Sequence, residues 1–243
     1  MSRLVPNMQL NLQAVKSFVA EVAGRTGNRV SVIAVSKTQT ADAIRCAWAA
    51  GQVAFGENYL QEALDKMAQL TDFPIEWHFI GPLQSNKTKA VAERFAWLHT
   101  LDREKIAQRL SESRSASVPP LNVCVQVNIS GEETKHGVPP EDAEALCYAV
   151  AALPRLRLRG LMTIGRPGLD EGSQRRQFRA MKSLFDQING TGLAMDTLSM
   201  GMSDDMHAAI LEGSTMVRVG TAIFGERVRP LNHGDTEGQG NAI

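Results

Sequence analysis

A chain of 243 residues with 43% apolar and 21% charged residues has the material for a large core, which excludes a disordered polymer and a small disulfide scaffold. Lys and Arg total 26 against 26 Asp and Glu, so the basic excess of a protein that grips nucleic acid by its phosphates is missing. Cys46, Cys124 and Cys147 are odd in number and widely spaced, which suits reduced thiols in a cytosol rather than disulfides or structural zinc. The N-terminal MSRLVPNMQLNLQAV lacks the continuous apolar core of a signal peptide, and no apolar run is long enough to span a membrane. A cytoplasmic protein without membrane contact is therefore expected.

Residues 8–24 come first and read as an amphipathic helix, with Leu10, Val15, Phe18, Val19 and Val22 at helical spacing. Strand 30–36, VSVIAVS, is followed by a helix for which Thr40 is the N-cap and Gly51 the exit. The same unit then recurs. Strand 53–55 leads to helix 58–70, strand 75–80 to helix 85–95, and strand 97–101 to helix 102–112. Strand 121–129 precedes a polar loop and helix 140–152, strand 156–164 precedes helix 172–189, and strand 196–200 precedes helix 203–212. Strand 216–224 closes the series. Strict alternation implies right-handed crossovers and a parallel sheet. Eight units in this length fit a single closed (β/α)8 TIM barrel with an extra N-terminal helix, and no GxGxxG follows the first strand to suggest a dinucleotide fold. One domain over residues 1–228 is expected, with a polar, Gly-rich tail at 229–243 that reads as flexible.

A parallel barrel carries its chemistry at the C-terminal ends of its strands. There stand Ser36-Lys37-Thr38, Gly56-Glu57-Asn58, Gly81, Met162-Thr163, the SMGMS run 199–203, and Arg218-Val219-Gly220-Thr221. The loops after strands seven and eight are a common phosphate site in barrels, and SMGMS and GTA supply small residues, hydroxyls and a helix start. Ser203-Asp204 also reads as an ordinary helix start. Lys37 is either a solvated rim residue or an amine able to form a Schiff base. Together with a phosphate site it points to pyridoxal 5′-phosphate (PLP) or to a phosphorylated-sugar aldolase.

Arg218 and Gly220 share a strand face. The guanidinium then needs an acceptor in the barrel, either a pyridine nitrogen or a buried carboxylate. His78 either faces the interior or packs as a satisfied core residue. Asn58 either bonds a cofactor ring oxygen or caps a helix, and Met162 reads as an apolar wall. Lys87 and Lys89 read as a solvated helix start. Lys135, in a polar loop, is a candidate second amine. No cluster has metal-ligand spacing, and no Ser-His-Asp signature is present.

AVSKTQ around Lys37, FGENYLQE from Phe55, WHFIGPLQSNK from Trp77, LRGLMTI from Leu158, LSMGMSDD from Leu198 and VRVGTAIFG from Val217 together resemble the pyridoxal phosphate homeostasis protein family. That family is similar to the barrel domain of alanine racemase, a PLP enzyme of fold type III. The resemblance covers most of residues 7–228. It implies that Lys37 carries PLP as an internal aldimine and that Ser199, Met200, Gly201, Gly220 and Thr221 hold the phosphate. It further implies that Arg218 faces the pyridine nitrogen, with Asn58 and Met162 around the ring. A PLP carrier that keeps the cofactor's supply in order is the function implied, without catalytic turnover, acting as a monomer and passing PLP to apo-enzymes. The alternative within the same resemblance is an amino-acid racemase or lyase using Lys37. Against it, an arginine at the pyridine nitrogen weakens the electron sink, and only Tyr59 and Tyr148 are available as a second tyrosine base.

Overall fold

The computed structural model describes residues 4–132 and 136–225. Lys135 and the expected tail at 229–243 lie outside these described residues. Helix α1 (Leu4–Thr26) precedes eight strands: β1 (Ser31–Val35), β2 (Ala54–Glu57), β3 (Glu76–Phe79), β4 (Trp97–Leu101), β5 (Leu121–Gln126), β6 (Leu156–Met162), β7 (Thr197–Ser199) and β8 (Met216–Val219). The helices between and after them are α2 (Ala41–Ala49), α3 (Leu60–Gln69), α4 (Thr88–Arg94), α5 (Glu104–Ser113), α6 (Pro140–Ala151), α7 (Glu171–Asn189), α8 (Met206–Leu211) and α9 (Thr221–Phe224). All pairings are parallel, and β8 closes onto β1 with Ile33 opposite Arg218. The (β/α)8 barrel expected from alternation is thus the observed architecture.

Alternation along each strand sorts the side chains into two cores. Ala34, Phe55, Phe79, Leu98, Val123, Leu161, Leu198 and Val217 point outward and are buried under the helices in the main apolar layer. The smaller interior holds Ile33, Ala54, Trp97, Cys124, Met162 and Met216, beside the buried polar groups His78, His99, Ser199 and Arg218. The strand ends are set by local chemistry. Thr40 caps α2 by accepting from the Ala43 amide, and Gly51 takes a left-handed φ of 84° at its exit.

Several boundaries differ from the sequence reading. GTAIF (220–224) is apolar and reads as the end of a strand, but β8 stops at Val219 and Thr221–Phe224 is a helical turn starting at Gly220. A short apolar run carries no period that separates strand from helix. Residues 85–87 form a 3-10 turn before α4.

Candidate functional site

The C-terminal end of the barrel opens on a cavity of about 480 Å³ lined by Lys37, Asn58, Met162, Arg218, Gly220 and Thr221 together with Met202, Ser203, Asp204 and apolar Val35, Ile80 and Ile164. Six of the residues expected at the site are therefore brought to one cavity. Lys37 sits on the turn that leaves β1 and is half-buried.

The backbone on either side of Lys37 is clamped from below. Glu57 points outward from β2 and is fully buried; its Oε1 accepts from Ser36 Oγ at 2.6 Å and from Lys66 Nζ at 2.8 Å. Lys66, on α3, also donates to the Ser36 carbonyl at 2.7 Å and to Glu62 Oε1 at 2.6 Å. Glu62 in turn accepts from the amide of Thr38. Thr38 has a φ of 65°, the single non-glycine left-handed residue among those described, a conformation that costs about 1–2 kcal/mol. The ion pair and its hydrogen bonds offset that strain and fix the turn that carries Lys37. Burial pushes the Glu57 carboxyl above the ordinary range, while Lys66 and Ser36 pull it down.

Asn58 stands next. The residue that caps α3 is Tyr59, without a side-chain cap bond, so the capping alternative for Asn58 falls away. Its amide Oδ1 is buried with no hydrogen-bond partner. An unsatisfied buried acceptor costs about 1–3 kcal/mol, and this oxygen is closed off from the cavity that the rest of Asn58 lines. The backbone here is pressed closely: a Cβ on Gly81 would lie 2.0 Å from the Asn58 carbonyl oxygen.

Arg218 is buried, and its guanidinium donates to Ser199 Oγ at 2.7 Å and to the Thr163 carbonyl at 2.9 Å. No carboxylate lies within ion-pair distance of it among the described residues, while the buried Asp205 acts on it at longer range. Burial pushes its pKa down to about 10, which leaves it a cation at neutral pH. Gly220, at the start of α9, leaves the wall beside Thr221 bare of side chain.

Three residues expected at the phosphate, Ser199, Met200 and Gly201, are not among those lining the cavity. Ser199 is fully buried inside the barrel, where its hydroxyl is engaged by His99 Nδ1 at 2.8 Å and by Arg218. Met200 packs in the apolar layer, and its amide donates to the Met216 carbonyl as part of the sheet. Gly201 has a φ of 98°, and a Cβ there would lie 2.7 Å from that of Ala209. Its turn carries the chain outward, so this loop reaches the cavity through Met202, Ser203 and Asp204 instead. Asp205 Oδ1 accepts from the Met202 amide at 2.6 Å and holds the loop in place. Of the remaining candidates, His78 is buried with both ring nitrogens bonded. Lys87 and Lys89 are exposed. Tyr59 and Tyr148 are exposed, and neither lines the cavity.

Comparison with known proteins places the chain in a family. Residues 10–228 match the family model of the alanine racemase N-terminal domain. The chain is 58% identical over 86% of its length, and 89% of the relative's, to the pyridoxal phosphate homeostasis protein of Pseudomonas aeruginosa. The chain belongs to the pyridoxal phosphate homeostasis protein family. Among solved structures, PipY of Synechococcus elongatus PCC7942 with PLP bound superposes with a TM-score of 0.80 at 36% identity, over 90% of this chain and all of that one. Alanine racemase from Corynebacterium glutamicum shares the fold at a TM-score of 0.67 and 21% identity, over 95% of this chain and 64% of the racemase. The barrel of this family member is thus the fold-type III barrel of the PLP enzymes.

Within that family frame the donor set fits PLP. An amine at Lys37, an amide side chain at Asn58, a cation at Arg218, an apolar wall at Met162 and the hydroxyls of Ser203 and Thr221 line one cavity. The Glu57–Lys66–Glu62 cluster went unforeseen. Its only sequence sign is that Glu62 and Lys66 are four apart on a helix, which more often marks an exposed pair.

Proposed function

We propose that the protein binds PLP covalently through the Lys37 amine and serves the intracellular supply of that cofactor. The observation that carries this reading is that Lys37, Arg218, Gly220 and Thr221 line one cavity at the C-terminal end of the barrel. PLP contributes an aldehyde for the lysine and, in enzymes, an electron sink. The chain contributes the rest. Lys37 is held on a clamped turn, Arg218 presents N–H donors toward the ring, and Met162 and Ile164 exclude water. Ser203, Thr221 and the amide at the start of α9 supply donors for the phosphate.

Turnover is not part of the proposal. Among the described residues, the ionisable side chains at the cavity are Lys37, Arg218 and Asp204, and a permanently charged guanidinium at a pyridine nitrogen opposes its protonation. The naming of relatives as homeostasis proteins rather than enzymes points the same way. The unpaired cysteines, with Cys124 and Cys147 buried, suit a cytoplasmic protein. The large exposed apolar residues, such as Leu10, Val118 and Tyr148, sit on separate elements, which suits a monomer that releases PLP to apo-enzymes.

Purified protein loaded with PLP should show a visible absorption band that borohydride fixes into a stable adduct. Lys37→Ala should lose the adduct. A variant that keeps it at full occupancy would move the attachment to another lysine. Racemisation assays across the amino acids should give no activity above that of free PLP, and light scattering should report a monomer.

A further inference from the structure

Through the middle of the barrel runs a line of polar side chains that the cavity alone does not explain. Glu76 opens β3 at the N-terminal end of the barrel, the face opposite Lys37, with its side chain half-exposed. Its Oε1 lies 2.9 Å from His78 Nε2. His78 Nδ1 lies 2.9 Å from His99 Nε2, and His99 Nδ1 lies 2.8 Å from Ser199 Oγ. Ser199 accepts from Arg218, which lines the cavity at the other end. His78 and His99 are both fully buried, and the His78 ring stacks on Trp97, over which Arg159 lies.

The donors in this line can be assigned by elimination. Glu76 is an acceptor, its carboxyl held below the ordinary range chiefly by the His78 bond, so His78 carries its proton on Nε2. Burial depresses the pKa of both histidines, so each neutral ring has one donor and one acceptor. His78 Nδ1 therefore accepts, and His99 Nε2 donates to it. His99 Nδ1 must then accept from the Ser199 hydroxyl, whose oxygen is left with lone pairs for Arg218. Every bond points the same way, from the cation toward the carboxylate. The reverse assignment would leave the unprotonated His78 Nε2 against a carboxylate and the Ser199 proton without an acceptor.

We propose that Glu76, His78, His99 and Ser199 form a one-way hydrogen-bond chain that positions the Arg218 guanidinium, so that a carboxylate on the far face of the barrel governs how tightly the PLP ring is held. This rests on the PLP reading above. The four are positioning residues, because in this arrangement Arg218 alone faces the ring. Other ionisable groups near the chain are Arg159, Asp196, Cys124 and Asp205. None of them supplies a hydrogen bond along it.

The test begins with protein free of PLP and labelled with nitrogen-15 histidine. At neutral pH both His78 and His99 should be uncharged with the proton on Nε2. A proton on Nδ1 of either ring, or a charged ring, overturns the chain. Glu76→Ala and Glu76→Gln are then compared, both at a half-exposed position where folding is retained. Glutamine still offers an oxygen to His78, so its Nε2 pattern and its PLP affinity should stay within about twofold of wild type. Alanine should mix the His99 tautomers and weaken PLP by roughly three- to tenfold, the scale of one lost hydrogen bond. An alanine variant with wild-type affinity, or a glutamine variant as weak as alanine, refutes the positioning role. Should wild type itself bind no PLP, the PLP reading fails, while the tautomers still decide whether the chain exists.

Discussion

Replacing Lys66 by methionine removes a cation that is 4% exposed and makes three hydrogen bonds, to Ser36, Glu57 and Glu62. Methionine fills nearly the same space, so the loss is electrical rather than steric. Glu57 then becomes a buried carboxylate without a counter-charge, the situation that costs about 3–5 kcal/mol. Its pKa is already raised by burial, and removing Lys66 takes away the chief influences that lower it. A carboxyl with a raised folded-state pKa penalises stability above that value and ceases to do so as pH falls toward the unfolded value. The deficit of Lys66→Met should therefore be largest near pH 8 and shrink on acidification toward about pH 5. Adding Glu57→Gln, whose amide oxygen can still accept from Ser36, should recover much of the loss at pH 8. Urea unfolding of the PLP-free proteins at both pH values measures all of this. A single variant within about 1 kcal/mol of wild type, or a double variant no more stable than the single, would refute the account of a buried pair holding the Lys37 turn.

Three further outcomes are expected. Gly81→Ala should destabilise by about 1–3 kcal/mol and weaken PLP, because its Cβ would displace the Asn58 carbonyl 2.0 Å away; urea unfolding and equilibrium dialysis report the two effects. Ser199→Ala should weaken PLP and phosphate-free pyridoxal by the same factor, roughly three- to tenfold, since the hydroxyl serves Arg218; a loss confined to PLP would restore Ser199 as a phosphate donor. His78 and His99 have depressed folded-state pKa values, so their neutral burial stabilises fully above the unfolded value of 6.5 and progressively less below it. Their NMR signals should still show uncharged rings below pH 6.5 while the fold persists, and a ring titrating at the ordinary histidine value would contradict the burial.

The barrel was legible because β-branched strands such as VSVIAV alternate with helices bounded by caps such as Thr40. What escaped the sequence lies where pattern carries no period. GTAIF turns into a helix at Gly220, and a short apolar run carries no period to announce the change. At the site, residues at or just past the ends of β1, β2, β3, β6 and β8 line the cavity as position in a barrel dictates. The β7 loop joins them only from Met202 onward, because β7 is three residues long and the left-handed Gly201 delays the approach. Glu57 was invisible for a different reason: strand alternation aims it away from the cavity, and only the position of Lys66 on α3 gives it a role.

The barrel is sealed between its first strand and its last, β1 against β8, and the cavity straddles that join, with Lys37 supplied from one side and Arg218, Gly220 and Thr221 from the other. Its two halves are about 180 residues apart along the chain, a long-range pairing that folds late. A ribosome-bound chain still lacking β8 has the lysine without its guanidinium and without the wall of α9. The lysine turn and the groups facing it come to one cavity only when the last strand has closed on the first, so the site and the closed barrel are completed together.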